Sequence, residues 1–256
     1  MRFRVSNLKD REFFYKREFN TKKVGYFFVG SYFKKRFQIP QIFSVDCGTE
    51  TKIIKDKKNY NKIINLKPGI NYKELKKRLI YYLPEDVYYD RNLYKNPKIC
   101  LRCLKFKKCF SCKNFLGQEL VFDIDPENIE CNICGRKKFP NFCLHSMKKS
   151  LEDSLRLYKE LKEIFKHVKI VYSGRGYHVH VLDKKAYKLS LDERNKLNKK
   201  FNRYHIDPWV SHGRIRLIRL PYSLNSLVSR IVTPLKIKDI GKFNPKDNKK
   251  VIPKFL

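Results

Sequence analysis

Tyr172-Ser173-Gly174-Arg175-Gly176-Tyr177-His178-Val179-His180-Val181 is the stretch whose reading sets the rest of the chain. Residues 169–172 and 177–182 on either side are apolar and β-branched enough to read as strands, so the four residues between them form a turn. Two glycines in that turn let the backbone approach a ligand closely. Ser173 adds a hydroxyl, and Arg175 adds a planar fork that matches phosphate oxygens. His178 and His180 lie two apart and share one strand face. Together these residues make a compact cradle for a triphosphate. The plain alternative is a basic β-hairpin with a glycine turn and ordinary histidines.

Upstream, Glu119-Leu120-Val121-Phe122-Asp123-Ile124-Asp125 is a short apolar run that ends carboxylate, apolar, carboxylate before Pro126 stops it. It reads as a buried strand with an exposed last turn. Asp123 and Asp125 then project from the same face. Two carboxylates that close repel each other unless a divalent cation neutralises them, which is the arrangement two-metal nucleotidyl transfer requires. Mg2+ or Mn2+ suits such oxygen ligands. Two solvated acids in a turn are the alternative. A third acid completes such a site. After Glu193 only Asp207, Asp239 and Asp247 remain, and the last two lie in the Lys-rich tail. Asp207, in His205-Ile206-Asp207-Pro208-Trp209-Val210 beside the only tryptophan, is therefore the candidate, with a turn- or helix-capping role as its alternative.

Around these segments the pattern is mixed. A helix over Tyr72–Tyr82 is closed by Pro84. Met147, Leu151, Leu155, Tyr158, Leu161, Phe165 and Val168 recur at helical spacing, with Ser150 and Asp153 as a candidate capping box; this stripe is core. A second helix starts at Ser190, which pairs with Glu193 in another capping box. Residues 214–220 alternate basic and apolar, as in a strand with its arginines on one face. From about Lys236 the tail is rich in Lys and Pro and is expected to be loose. There is no internal repeat.

The 256 residues suffice for one large domain or a catalytic core with a small module, and 42% hydrophobic with 14% aromatic residues support a real core. Lys and Arg number 59 against 25 Asp and Glu, a formal net charge of +34 that attracts polyanions, nucleic acid first. Part of that excess is compositional bias, since Ala186 is the only alanine and Lys, Asn, Ile, Tyr and Phe are abundant. A membrane is set aside: no long uncharged apolar run and no charged-then-apolar leader is present.

Eight cysteines in an intracellular-looking chain argue for metal rather than disulfides. Cys47 stands alone and reads as a small buried residue. Cys100-x-x-Cys103 and Cys109-x-x-Cys112 form two pairs with the bite that zinc requires, and Cys131-x-x-Cys134 forms a third. An iron–sulfur cluster is a minor alternative.

The three acidic and basic motifs, in this order, resemble the archaeal–eukaryotic primase catalytic (small) subunit family. Leu120-Val121-Phe122-Asp123-Ile124-Asp125 is similar to its first motif, with the catalytic aspartate pair. Ser173 to Val181 is similar to the second, where Ser, Arg and His bind the incoming nucleotide. Ile206-Asp207 with Arg216-Leu217-Ile218-Arg219-Leu220-Pro221 is similar to the third. Arg11-Glu12-Phe13-Phe14-Tyr15 and Val87-Tyr88-Tyr89 extend the resemblance over nearly the whole chain. The family carries a zinc module just after the first motif, where Cys131, Cys134, Cys143 and His145 stand. Cys143 and His145 are so close in sequence that one of them can be spare, and ligands can be shared with the other cysteines. The sequence also departs from the family. Where members carry Ser-Leu-His-Gly-Lys, this chain has Ser223-Leu224-Asn225-Ser226-Leu227, which lacks the phosphate-holding lysine and leaves Arg230 as a possible substitute. The glycine turn is one residue shorter, and the whole chain is short, as in a minimal core or a plasmid- or virus-like version.

The resemblance implies an α+β fold, a primase-polymerase catalytic core with mixed or antiparallel sheet and a zinc-binding insertion. It sets a catalytic domain over 1–256, with a cysteine-rich zinc-binding region at 98–146. It implies a DNA primase catalytic subunit, a DNA-directed nucleotidyltransferase active in DNA replication. Asp123, Asp125 and Asp207 would bind Mg2+ or Mn2+. Ser173, Arg175, His178 and Arg219 would hold the triphosphate. Zn2+ would sit structurally on Cys131, Cys134, Cys143 and His145; a second Zn2+ on Cys100, Cys103, Cys109 and Cys112 is expected from the spacing of the two Cys-x-x-Cys pairs and not from the resemblance. The expected partners are a single-stranded DNA template, nucleoside triphosphates and a primase large subunit, with no membrane, in a cytoplasmic, nucleoid-associated setting. The rivals are a primase-like polymerase for gap filling or plasmid replication and a non-catalytic zinc-containing nucleic-acid-binding protein. A zinc-dependent hydrolase ranks lower, because the cysteine sets look closed.

Overall fold

The computed structural model describes residues 3–29, 40–48, 63–103, 106–135 and 143–256; parts of the cysteine-rich region lie outside them, but none of its seven cysteines does. The chain opens with α1 (Leu8–Phe13), whose Asn7 and Asp10 cap each other's backbone amides, and runs through a π-helical stretch into α2 (Thr21–Val29). There follow β1 (Phe43–Asp46), β2 (Ile63–Asn65), α3 (Tyr72–Tyr82), β3 (Asp86–Asp90), β4 (Asn92–Tyr94), α4 (Pro97–Arg102), β5 (Phe115–Gln118) and β6 (Leu120–Ile124). The second half contains α5 (Leu144–Ile164), β7 (Val168–Tyr172), β8 (Tyr177–Val181), α6 (Lys184–Tyr187), α7 (Leu191–Phe201) and α8 (Pro208–Ser211). It ends with β9 (Leu217–Arg219), β10 (Leu224–Asn225), β11 (Arg230–Ile231) and β12 (Thr233–Leu235).

Every strand pairing is antiparallel among the described residues, and helices and sheets mix as an α+β fold. One four-stranded sheet has the order β12-β7-β8-β6, and a second has the order β2-β1-β3-β9. The first sheet is buried on both faces, so β6 reads as an unbroken apolar run rather than an alternating one. Leu120, Phe122 and Ile124 face Met147, Leu151, Leu157 and Leu161 of α5 and Phe201 of α7. Val121 and Val171 face the other way, into a core shared with Val45, Val87, Tyr89 and Ile218 of the second sheet and with α2 and α3. Fully burying a side chain such as Leu157 or Leu161 contributes about 1.5–3 kcal/mol. By the period of two, Asp123 sits on the Val121 side, at the seam between the two sheets.

Four local expectations need correction. Ser150 and Asp153 form no capping box. The helix begins earlier, with Cys143 as its N-cap, and the Ser150 hydroxyl donates to the carbonyls of Ser146 and Met147 from mid-helix. Val168 belongs to β7, because the helix stops at Ile164. The expected strand over 214–220 shrinks to Leu217–Arg219, because Arg214 turns aside to lie over the Trp209 ring. The tail is not loose: Ile240 and Val251 enter the core, the Ile231 N–H donates to the Val251 carbonyl at 2.8 Å, and Phe243 packs on Tyr172. The α3 bounds, the Ser190–Glu193 capping box and a buried Cys47 are as expected. Among the described residues no helix is long and apolar enough to cross a membrane.

Candidate active site

Strand register sets the first acid. Asp123 on β6 pairs directly with His178 on β8, and its Oδ1 lies 3.5 Å from His178 Nε2. Asp125 follows just past the strand end, where Pro126 opens a 3-10 turn. The glycine turn lies against it, and a Cβ on Gly176 would collide with Asp125 Oδ1 and crowd the Ile124 carbonyl. Asp207 arrives from a different segment. Its N–H donates to the Asp123 carbonyl at 2.7 Å, and its carboxylate accepts from the Trp209 N–H at 2.8 Å. The third acid thus both caps α8 and sits beside the first.

Burial, followed by the charges of Asp125 and Asp207, pushes the Asp123 carboxyl well above the usual carboxylate range, against the pull of Arg175 and Arg219. Asp125 is also raised, mainly by burial. Asp123 Oδ1 is buried and has no hydrogen-bond partner among the described residues. An orphaned, partly desolvated carboxylate oxygen among like charges fits a hard divalent cation. The three carboxylates do not form a closed ligand set as tight as the cysteine site described below.

The cations sit around the acids. Arg175 lies 3.7 Å from both Asp125 and Glu127, close enough for attraction but not bound in a fork. Arg219 is held by Asp86 through two bonds, Nε to Oδ1 at 3.0 Å and a terminal nitrogen to Oδ2 at 2.6 Å. Burial works against the Arg219 charge, but Asp86 and Tyr88 outweigh it and keep the guanidinium firmly protonated. His178 is driven well below the ordinary imidazole range by burial, then by His180 and the surrounding arginines, so it is neutral at pH 7. Its Nδ1 is buried without a partner among the described residues. His180 does not face the acids. It pairs with buried Glu119 at 2.8 Å, and Glu119 also accepts from the Tyr89 hydroxyl at 2.7 Å.

The turn itself is braced from within. Ser173 Oγ accepts from the Gly176 N–H at 3.0 Å, and the Ser173 N–H donates to the Gly176 carbonyl at 2.9 Å. Asn225 Nδ2 donates to the Ser173 carbonyl at 3.1 Å. Gly174 has φ +101°, and a Cβ there would lie 2.7 Å from the Asn225 Cβ. Asn225 therefore props the turn from beneath. Arg230 does not take the place of the missing lysine: its guanidinium donates to the Pro245 and Ser229 carbonyls and anchors the tail. Sequence reasoning missed Glu127, Asp86 and Glu119. The change of residue type at Asn225 was visible, but its supporting role was not.

The second site is a cysteine–histidine set. Cys131, Cys134, Cys143 and His145 place their ligand atoms within 4.8 Å of one another, the only such set of three or more among the described residues. His145 Nδ1 lies 3.8, 3.9 and 3.9 Å from the three sulfurs. One nitrogen cannot bond three thiols at once, and near-equal distances point to a common centre. A tetrahedral zinc gives an S-to-N edge of roughly 3.6 Å, so the donors fit. Both Cys143 and His145 converge with the other two donors. The Cys131 carbonyl accepts from the Gly135 N–H at 2.8 Å, closing the knuckle turn. Burial pushes the Cys143 thiol up, but hydrogen bonds from Ser146 and the neighbouring cysteines outweigh it and bring it to about 6. Burial raises the Cys100 and Cys109 thiols above the ordinary range, and Asn114 Nδ2 donates to the Cys100 sulfur at 3.1 Å, but Cys100, Cys103, Cys109 and Cys112 do not form such a set.

No protein-family model matches the chain. An Archaeoglobus fulgidus protein described as an uncharacterized DNA primase small subunit-like protein is 42% identical over 99% of this chain and 91% of its own length. The DNA primase small subunit PriS of Pyrobaculum calidifontis is 28% identical over 67% of this chain, and that of Thermococcus onnurineus 30% identical over 76%. The chain spans only 66% and 49% of the length of those two proteins. Among solved structures, the polymerase domain of Mycobacterium tuberculosis ligase D in complex with DNA is similar at a TM-score of 0.45 and 15% identity, over 70% of this chain and 61% of that one.

Proposed function

The chain belongs to the archaeal–eukaryotic primase small-subunit family, and on that premise we propose that it is a metal-dependent nucleotidyltransferase that joins nucleotides into a primer on single-stranded DNA. The observation that carries this reading is the buried, unpartnered Asp123 oxygen, set beside Asp125 and Asp207 and faced by Arg175, His178 and Arg219. Asp123, Asp125 and Asp207 would hold Mg2+ or Mn2+. When bound, such ions supply charge neutralisation and a more acidic attacking hydroxyl.

The chain's own groups supply the rest. Arg175 and the glycine-turn amides bind the triphosphate oxygens, with Ser173 fixing the turn and Asn225 supporting it. Arg219, locked by Asp86, contributes a fixed positive charge that costs no reorganisation during the reaction. Neutral His178 can donate one hydrogen bond to a phosphate oxygen without competing for the metal. Basic surface holds the template backbone without reading its sequence. Cys131, Cys134, Cys143 and His145 would bind a structural Zn2+ that fixes the start of α5, and Cys100, Cys103, Cys109 and Cys112, whose sulfurs do not converge in the same way, would be the ligands of a second Zn2+. A catalytic domain over 1–256 with its cysteine-rich region at 98–146, a large-subunit partner and a cytoplasmic, nucleoid-associated setting accompany this reading. The test is incorporation of labelled nucleotides on single-stranded DNA, which must require a divalent cation and vanish in Asp123→Ala.

A further inference from the structure

Trp209 is the only tryptophan of the chain, and 56% of its surface is exposed. It sits two residues after Asp207 in α8, a turn that is tightly held. The Asp207 carboxylate accepts from the Trp209 N–H, the Val210 carbonyl accepts from buried Arg91 at 2.9 Å, and the Gly213 carbonyl accepts from Gln118 at 3.1 Å. The Asp207 N–H in turn bonds the Asp123 carbonyl, so the turn is fixed to the strand that carries the first acid. Arg214 lies over the indole at 4.8 Å, and Ile215 beside it is 41% exposed. Trp209 is thus held in solvent on a pinned turn, flanked by a cation and next to the proposed catalytic acids.

Resting on the polymerase reading, we propose that Trp209, backed by Arg214, is a stacking platform for a base of the single-stranded nucleic acid entering the site. An indole offers a π-face that accepts any base, and the arginine adds cation–π support and an attraction to the backbone, which is how strands are held without sequence preference. The pinned backbone means that little order has to be gained on binding. The exposed Trp209–Arg214–Ile215 surface carries positive charge, which favours nucleic acid over a cationic or purely apolar partner.

Because Trp209 is the sole tryptophan, its fluorescence reports on the site directly. A single-stranded oligothymidylate should quench it, and a nucleoside triphosphate alone should not. Trp209→Ala should weaken binding of a labelled oligonucleotide by about fivefold or more, as expected for the loss of one stacked base, while Trp209→Phe retains most of the affinity. In primer extension Trp209→Ala should raise KM for DNA and leave KM for nucleotide unchanged. Wild-type fluorescence unaltered by the oligonucleotide and wild-type affinity in both variants, with Asp123-dependent incorporation intact, would overturn the platform and leave the polymerase reading standing. Quenching by the triphosphate alone, or only by an added protein subunit, would also overturn it. Quenching and lost affinity in a chain that incorporates no nucleotide would sustain the platform while the polymerase reading fell.

Discussion

The amide of Asp207 donates to the carbonyl oxygen of Asp123 at 2.7 Å, so two acids far apart in sequence are joined through the main chain. Side-chain replacement leaves this bond in place. Asp123→Asn should therefore remove charge without moving the strand. Since burial and two like charges disfavour the Asp123 anion, the variant should be more stable than wild type by about 1 kcal/mol when divalent cations are withheld but zinc is retained. Added Mg2+ should narrow or reverse the gap, because only wild type gains a ligand. Chemical denaturation with and without Mg2+ measures both effects.

The same pair of proteins tests the sign of the ionisation. The folded-state pKa of Asp123 lies above its unfolded value, so the charged form costs stability at neutral pH, and that cost fades as the pH falls through the folded value toward 3.8. The advantage of Asp123→Asn should therefore be largest at neutral and mildly alkaline pH and shrink steadily on acidification. His178 moves in the opposite sense, since a buried neutral histidine loses stability below its unfolded pKa of 6.5, but it is common to both proteins. The difference between them isolates the carboxylate. A gap that does not change with pH would contradict the assignment.

Zinc content distinguishes the two cysteine sets. Cys131→Ser should lose one tightly held equivalent and lower the thermal midpoint, because the set fixes the start of α5. If the second set binds as well, wild type holds two equivalents and Cys100→Ser holds one. A wild-type content of one, unaffected by Cys100→Ser, would confine zinc to Cys131, Cys134, Cys143 and His145.

Asn225 offers a test of the nucleotide turn. Its amide is the prop beneath the Ser173 carbonyl, so Asn225→Ala removes one buried hydrogen bond and leaves that carbonyl poorly satisfied. A cost of about 1–1.5 kcal/mol on the turn geometry corresponds to roughly tenfold in KM for nucleotide. KM for DNA should stay near the wild-type value. Steady-state kinetics with each substrate varied in turn separate the two.

The parts legible in the sequence were those governed by local chemistry. Strand β6 declared itself through an apolar run stopped by Pro126, the turn through its glycines, and α7 through Ser190 and Glu193, which do cap each other. Ser150 and Asp153 misled because the same spacing arises by chance inside a long helix. The true start at Cys143 belongs to a cluster assembled from segments distant in sequence. The tail looked loose because Lys dominates it, while the few apolar residues that bury, Ile240 and Val251, find their partners only in three dimensions. The Asp86–Arg219 fork was illegible for the same reason, since it depends on β3 and β9 becoming neighbours. Asp207 was singled out by elimination among scarce acids, while the backbone tie that sets it beside Asp123 joins segments distant in sequence and was not legible.

The central claim is tested most directly by template-dependent synthesis with the purified chain. The assay uses single-stranded DNA, Mg2+ or Mn2+ and labelled nucleotides, with and without a supplied primer, beside Asp123→Ala. The expected result is products formed without a primer, reduced about 100-fold or more in the variant. Extension of supplied primers only would keep the transferase chemistry and replace primer synthesis with gap filling. No incorporation by wild type under any condition, with a candidate large subunit added, would contradict the claim.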